Sequence, residues 1–150
     1  MKKFIISLFL LLILYGCGRI TPIDIEQFQK IMTNNNLTTS DITNNYQDSV
    51  LIKYAFEAKE NDNYVIQFVK ATEEENAVTL FNMNKNNVEK QYKYGAYTNG
   101  TVSDINSIKF TLKSNDLYFY IIQVDDTLLY ASAKKDYEKT IKKIIKELGY

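Results

Sequence analysis

Apolar residues spaced three and four positions apart predict three helices in the chain. The residues predicted to face the core are Ile25, Phe28, Ile31 and Met32 in the first helix, Ala77, Leu80, Phe81 and Val88 in the second, and Tyr137, Ile141, Ile144, Ile145 and Leu148 in the third. Thr21 is the predicted N-cap of the first helix, and Thr72 with Glu75 forms a predicted capping box at the start of the second. Gly149 is the expected C-terminal cap of the third helix, whose outer face carries a stripe of lysines.

Between the helices, apolar and polar residues alternate, which predicts strands. The predicted strands cover residues 50–57, 64–69, 108–113, 117–124 and 127–133. Residues 60–63 predict a hairpin loop, and residues 38–48 predict a longer loop. Residues 90–107 show no clear period, so the pattern leaves open whether they contain a short strand. The order of elements predicts an α+β fold, an antiparallel sheet of about five strands with three helices packed mainly on one face.

Residues 1–17 have a different pattern from the rest of the chain. Lys2 and Lys3 form a basic start, and a single apolar run follows from residue 4 to residue 15. This run is shorter than the roughly 18 apolar residues that a membrane-spanning helix needs. The pattern is typical of a secretory signal peptide.

The run ends in Leu14-Tyr15-Gly16-Cys17, which resembles the bacterial lipobox. The resemblance implies that Cys17 receives a thioether-linked diacylglycerol, that a dedicated peptidase cuts after Gly16, and that the new N-terminus is held on the outer leaflet. Two acyl chains give stable anchoring, because each buried methylene contributes about 0.8 kcal/mol. We therefore expect residues 1–16 to be a signal peptide, residues 17–20 a short lipidated tether and residues 21–150 a single domain.

The composition of the mature chain excludes several kinds of chemistry. Without residues 1–16 the chain has 16 basic and 18 acidic side chains, and it lacks the basic stripe on which nucleic-acid binding depends. It has no histidine, and Cys17 is its only cysteine, so the usual general base, the thiol nucleophile and the common transition-metal ligands are missing. No serine, threonine or lysine lies in a recognised catalytic motif. We expect a protein that is not an enzyme and that uses no cofactor, no metal and no nucleic acid.

Three segments of the mature chain carry a further resemblance. They are the predicted second helix with Ala77, Leu80 and Phe81, the stretch Val124-Asp125-Asp126-Thr127-Leu128-Leu129-Tyr130, and the ending Glu147-Leu148-Gly149-Tyr150. In these segments the chain is similar to a loose group of small, uncharacterised lipoproteins of Gram-positive bacteria. The resemblance implies an extracytoplasmic location and a compact α+β domain, and it brings no catalytic residues with it.

The strand predicted at residues 117–124 is apolar on both faces. If one face packs against the helices, Tyr118 and Tyr120 point the other way, toward Lys109 and Lys113 of the preceding strand. Such a face would suit a protein or a glycan, since tyrosine offers a rigid surface with a hydrogen-bonding tip. The alternative is a central strand whose second face is covered by the segment without a clear period.

Together these expectations favour a lipoprotein of the cell membrane that acts as a binding or interaction module on the extracytoplasmic side. The lipid on Cys17 would attach it to the membrane, and its partner would be a protein or glycan of the envelope. Two alternatives stay open: an envelope hydrolase acting through carboxylates, and an accessory subunit of an envelope complex. A pocket with paired carboxylates would favour the first, and an exposed apolar patch the second.

Overall fold

The computed structural model describes residues 19–46, 50–92 and 97–150. Within these residues, seven antiparallel strands form one sheet in the order β1-β2-β3-β7-β6-β5-β4. The strands are β1 (Thr39–Asp41), β2 (Ile52–Glu60), β3 (Tyr64–Ala71), β4 (Tyr97–Ser103), β5 (Ser107–Ser114), β6 (Leu117–Val124) and β7 (Thr127–Lys134), and the helices are α1 (Ile25–Asn34), α2 (Glu74–Gln91) and α3 (Glu138–Glu147). The predicted α+β class with an antiparallel sheet is confirmed, with seven strands instead of about five.

The two additional strands are the edges of the sheet. β1 lies within the predicted loop at residues 38–48 and pairs with β2, while β4 lies within residues 90–107 and pairs with β5. Both strands are mostly polar and exposed, so neither shows the alternation of a half-buried strand. Backbone pairing with a neighbour forms them, and side-chain burial contributes little.

Helices cover both faces of the sheet. Residues of α1 and α3 share one apolar core with Phe68 and Ile122 of the sheet, and residues of α2 share a second core with Phe110 and Ile121. β6 is therefore buried on both faces, as Ile121 is 0% exposed and Ile122 2% exposed. The interpretation of residues 117–124 as a central strand is confirmed. However, the face with Tyr118 and Tyr120, which residues 90–107 were predicted to cover, packs against α1 and α3 instead.

The predicted inward faces of the helices are confirmed, but two predicted caps are wrong. In α2 the buried residues are Ala77, Leu80, Phe81 and Val88. α1 is capped by Asp24, which accepts a hydrogen bond from the backbone N–H of Gln27 at 2.8 Å, instead of by Thr21. No side chain caps the start of α2, whose N-cap residue is Glu73. The Thr72 hydroxyl instead donates to the carbonyl of Val50 at 3.1 Å and accepts a hydrogen bond from Nδ2 of Asn76 at 2.7 Å.

The C-terminal cap of α3 is confirmed. Gly149 follows the helix with a φ of +85°, in the left-handed region that favours glycine.

The turns of the sheet gather at two opposite ends, since all neighbouring strands are antiparallel. At one end, the backbone N–H of Asp125 donates to the carbonyl of Asn106 at 3.0 Å, which joins the β6–β7 turn to the β4–β5 turn. At the other end, the N–H of Lys134 donates to the carbonyl of Asn63 at 2.8 Å, and the N–H of Lys135 to the carbonyl of Asp116 at 2.8 Å. We call the first the tether end, because the described chain begins there, and the second the far end.

Candidate functional site

The predicted tyrosine and lysine face is not an open surface. Lys113 lies opposite Tyr118 and Lys109 opposite Ile122 in the β5–β6 register, so these side chains do share one face of the sheet, as predicted. However, Tyr118 is 2% exposed and Tyr120 6% exposed, because the core beneath α1 and α3 encloses them. Neither tyrosine is available to a partner, and the predicted binding face is corrected to a packed interior.

Lys113 takes part in a charged cluster above Tyr118. Its Nζ atom lies 2.5 Å from Oε1 of Glu138, and Nζ of Lys142 lies at the same distance from that oxygen. The two ammonium groups are 5.9 Å and 5.6 Å from the centre of the Tyr118 ring. Hydrogen bonds from Lys113 and then Lys142 lower the pKa of Glu138, and the bond to Glu138 raises the pKa of Lys113. The cluster attaches the start of α3 to the sheet.

Lys109 lines a small cleft at the tether end. The cleft has a volume of about 80 Å³, and Ile20, Val102, Tyr120 and Tyr150 also line it. Cys17, the predicted lipidation site, lies outside the described residues, as do residues 1–16.

A larger concave surface lies at the far end. It consists of two adjoining hollows of about 380 Å³ and 490 Å³, which share Leu117 and Lys134. The lining residues are Glu57 and Lys59 of β2, residues 61–63 of the β2–β3 turn, Tyr64, Val65, Ser132 and Ala133, and, in the second hollow, residues 115–116 and 135–136. We call this surface the far-end groove.

The groove presents donors and acceptors of both charges. Lys134 donates to Oδ1 of Asn63 at 3.1 Å, which holds the β2–β3 turn against the end of β7. The Glu57 carboxylate accepts a hydrogen bond from Gln67 at 2.9 Å and lies 3.9 Å from Nζ of Lys59. Amides, lysines and carboxylates that line a groove together with apolar residues such as Val65 and Ala133 can hydrogen-bond a polar ligand.

Tyr64 forms part of the wall of the groove and keeps its proton. Burial raises the pKa of the Tyr64 hydroxyl to about 12, and the neighbouring Glu60 adds to this effect. The ring packs 5.6 Å from that of Tyr137, just before α3. The phenol is therefore a neutral donor at physiological pH.

The described residues contain no group of three or more acidic, histidine or cysteine side chains placed to hold a metal ion. In the same parts of the chain, every buried side-chain nitrogen or oxygen has a hydrogen-bond partner. None of the helices described is long and apolar enough to cross a membrane.

The hairpin loop at residues 60–63 is predicted from the sequence, but the groove that it lines is not. Residues 60–63 were predicted as a hairpin loop, and nothing in the local pattern links them to Lys134, which is 71 residues from Asn63. The link depends on the pairing of β3 with β7. The strand order is the signal that indicates the groove. When all pairs are antiparallel, the turns that follow β2, β5 and β7 lie at the same end of the sheet.

The chain that follows Cys17 is held at the tether end. The Arg19 guanidinium lies 3.3 Å and 3.5 Å from the two carboxylate oxygens of Asp125. The backbone N–H of Ile20 donates to Oδ1 of Asn106 at 3.1 Å, and Nδ2 of Asn106 donates to the carbonyl of Ile20 at 2.8 Å. These contacts attach Arg19 and Ile20 to two turns at the end of the sheet opposite the groove.

Comparisons with known proteins identify a shared fold. No protein-family model and no curated protein matches the chain. Among solved structures, a GTP binding regulator from Thermotoga maritima is similar to 88% of this chain over 94% of its own length, with 12% sequence identity and a TM-score of 0.50. At this identity the likeness shows the fold alone.

Proposed function

We propose that this chain is a lipid-anchored binding module on the extracytoplasmic face of a bacterial cell membrane. Cys17 carries the lipid, and the far-end groove binds a protein or glycan of the envelope without catalysing a reaction. The observation that carries the proposal is the placement of Arg19 and Ile20, two and three residues after Cys17, at the end of the sheet opposite the groove.

This placement supports a binding role because membrane attachment and ligand binding would then lie at opposite ends of the sheet. β6 spans the sheet from the far end to the tether end with eight residues, which corresponds to about 26 Å of strand. With the tether end at the bilayer, the groove opens away from the lipid, toward the wall and its associated proteins. A polar groove is also the type of surface that a hydrated partner can occupy, since its rim side chains are already solvated.

Photocrosslinking in living cells tests the binding role. A photoreactive residue at Asp62, on the rim of the groove, should form an adduct with an envelope protein or glycan that mass spectrometry identifies. Met83, 52% exposed on α2, is the matched control position outside the groove. Adducts at Asp62 that do not exceed those at Met83 would contradict the proposal.

A second variant tests whether the groove itself is required. Ser132→Tyr places a large side chain on the groove wall, so it should reduce the Asp62 adduct while circular dichroism shows an intact fold. An undiminished adduct in the folded variant would place the partner outside the groove.

A further inference from the structure

We infer that the tether end is a membrane-contact surface, on which Val102 and Ile105 of the β4–β5 region lie at the lipid interface. This inference rests on the lipid attachment at Cys17 proposed above. It adds a defined orientation of the domain, which lipid attachment alone does not supply.

The tether is short, and its described residues are bound to the end of the sheet. Two residues of chain reach at most about 7 Å, so the Cα atoms of Cys17 and Arg19 cannot be further apart than this. Arg19 is paired with Asp125, and Ile20 is bound on both its N–H and its carbonyl by Asn106. A lipid on Cys17 therefore brings this particular end of the sheet to the bilayer surface.

Two apolar side chains are exposed at the same end of the sheet. Ile105 is 72% exposed and Val102 58% exposed. Ile105 is the immediate neighbour of Asn106, the residue that binds Ile20, and Val102 lines the same cleft as Ile20. Isolated exposed apolar residues are common on soluble proteins, but two of them beside a lipid-bearing segment form a surface suited to the interface.

Carboxylates near the contact surface oppose an anionic leaflet unless a cation offsets their charge. Asp125 is paired with Arg19, and Asp126 lies 2.6 Å from Nζ of Lys70. Asp104 accepts a hydrogen bond from the backbone N–H of Ile105 at 2.8 Å. Asp125 and Asp126 thus each have a cation that offsets their charge, whereas Asp104 keeps its charge and lines the same cleft as Lys109.

Val50 is also exposed at this end, but it lies outside the proposed contact surface. Its carbonyl accepts the hydrogen bond of Thr72, which immediately precedes the acidic start of α2 at residues 73–75. Anionic lipid disfavours that neighbourhood, because like charges repel.

Site-directed fluorescence on the lipidated full-length protein tests the inference. Lipidation uses the sulfur of Cys17, the only native cysteine, so a single introduced cysteine can be labelled with an environment-sensitive dye. The protein is purified with its lipid and reconstituted in vesicles of phosphatidylglycerol and phosphatidylethanolamine. We expect a blue shift and quenching by spin-labelled lipid for Ile105→Cys and Val102→Cys, but neither change for Met83→Cys.

The controls separate this inference from the proposed anchor. Protein that does not stay with the vesicles and carries no lipid contradicts the anchor itself. Lipidated, vesicle-bound protein whose dye at Ile105 remains as solvent-exposed as that at Met83 contradicts the orientation alone. Asn106→Ala in the Ile105→Cys background should keep the lipid and reduce quenching, since Ile20 loses both bonds; unchanged quenching would show that the Asn106 contacts do not orient the domain.

Discussion

At the scale of single residues, tyrosines serve as core residues with polar tips. Tyr150, the last residue of the sequence, receives a hydrogen bond from the backbone N–H of Ile23 at 3.0 Å and lies 3.4 Å from the hydroxyl of Thr127. Tyr118 and Tyr120 fill the space between the sheet and the helices. Burial raises the pKa of each of these three phenols. They are stable as neutral groups, and a charge on any of them would oppose folding.

This predicts a loss of stability at alkaline pH. Burial raises the pKa of Tyr64 and Tyr118 from 10.0 to about 12, with smaller effects from Glu60 and Glu138. In the unfolded chain these phenols ionise near pH 10, so their contribution is complete below that pH and is lost as the pH rises toward 12. Urea unfolding of the chain without residues 1–18, measured across this range, should show a falling free energy of unfolding.

Tyr118→Phe is the matched variant for this prediction. It keeps the ring and removes the ionisable hydroxyl, so the free energy of unfolding should decrease less steeply with pH than in the wild type. Equal slopes for the two proteins would show that Tyr118 ionises normally in the folded state.

At the scale of elements, β6 holds the molecule together because it contributes to both cores. Phe119 and Ile121 face α2, whereas Tyr118, Tyr120 and Ile122 face α1 and α3. β7 pairs with it along its whole length, and β5 pairs with residues 118–124. Removing apolar volume on either face should therefore leave a cavity that the structure cannot fill.

We expect Ile121→Ala and Ile122→Ala each to lower the free energy of unfolding by about 2–5 kcal/mol, as large-to-small core substitutions do. Val102→Ala, at an exposed strand position, is the control and should change it by no more than about 0.5 kcal/mol. Chemical unfolding of the chain without residues 1–18 measures all three. If Ile121→Ala cost no more than the control, α2 would not cover its face of the sheet as described.

At the scale of the whole molecule, the antiparallel sheet places its turns in two groups. The tether end holds Arg19 and Ile20, and the far end holds the groove. The pairs Lys134–Asn63 and Asn106–Ile20 connect segments that are distant in sequence, so each end is assembled only when the complete sheet forms. The cleft at the tether end and the far-end groove share no lining residue, so a change at the anchor should leave the groove intact.

Cys17→Ser tests the anchor directly. The variant should lose lipid labelling and should not be cut after Gly16 by the lipoprotein peptidase, while the domain remains folded because Cys17 precedes the first described contact. Metabolic labelling with a fatty-acid analogue and N-terminal mass analysis measure both effects. Fractionation alone does not, since the apolar run at residues 4–15 can hold the uncleaved precursor at the membrane.

The same measurements on the wild-type protein test the lipoprotein assignment itself. A wild-type chain that carries no lipid, or that keeps residues 1–16, would overturn the lipoprotein assignment.

Features that depend on local periodicity could be predicted from the sequence. The inward residues of α2, the hairpin between β2 and β3, the glycine that ends α3 and the doubly apolar strand at residues 117–124 could all be predicted, because each depends on side chains close together in the chain. These features were also sufficient for the α+β class. The caps of α1 and α2 were less predictable, because Asp24 accepts the Gln27 N–H in place of Thr21, and because the Thr72 hydroxyl is bonded to Val50 and Asn76 in the folded chain.

The positions of these elements relative to one another depend on contacts that exist only in the folded chain. Periodicity shows that residues 117–124 are buried on two sides. It does not show that α2 covers one side of this strand, or that α1 and α3 enclose Tyr118 on the other. The edge strands β1 and β4, the pairing of β3 with β7 and the meeting of three turns in the far-end groove all result from contacts between distant segments. Such contacts depend on the free energy of the complete sheet, which no local pattern of apolar residues specifies.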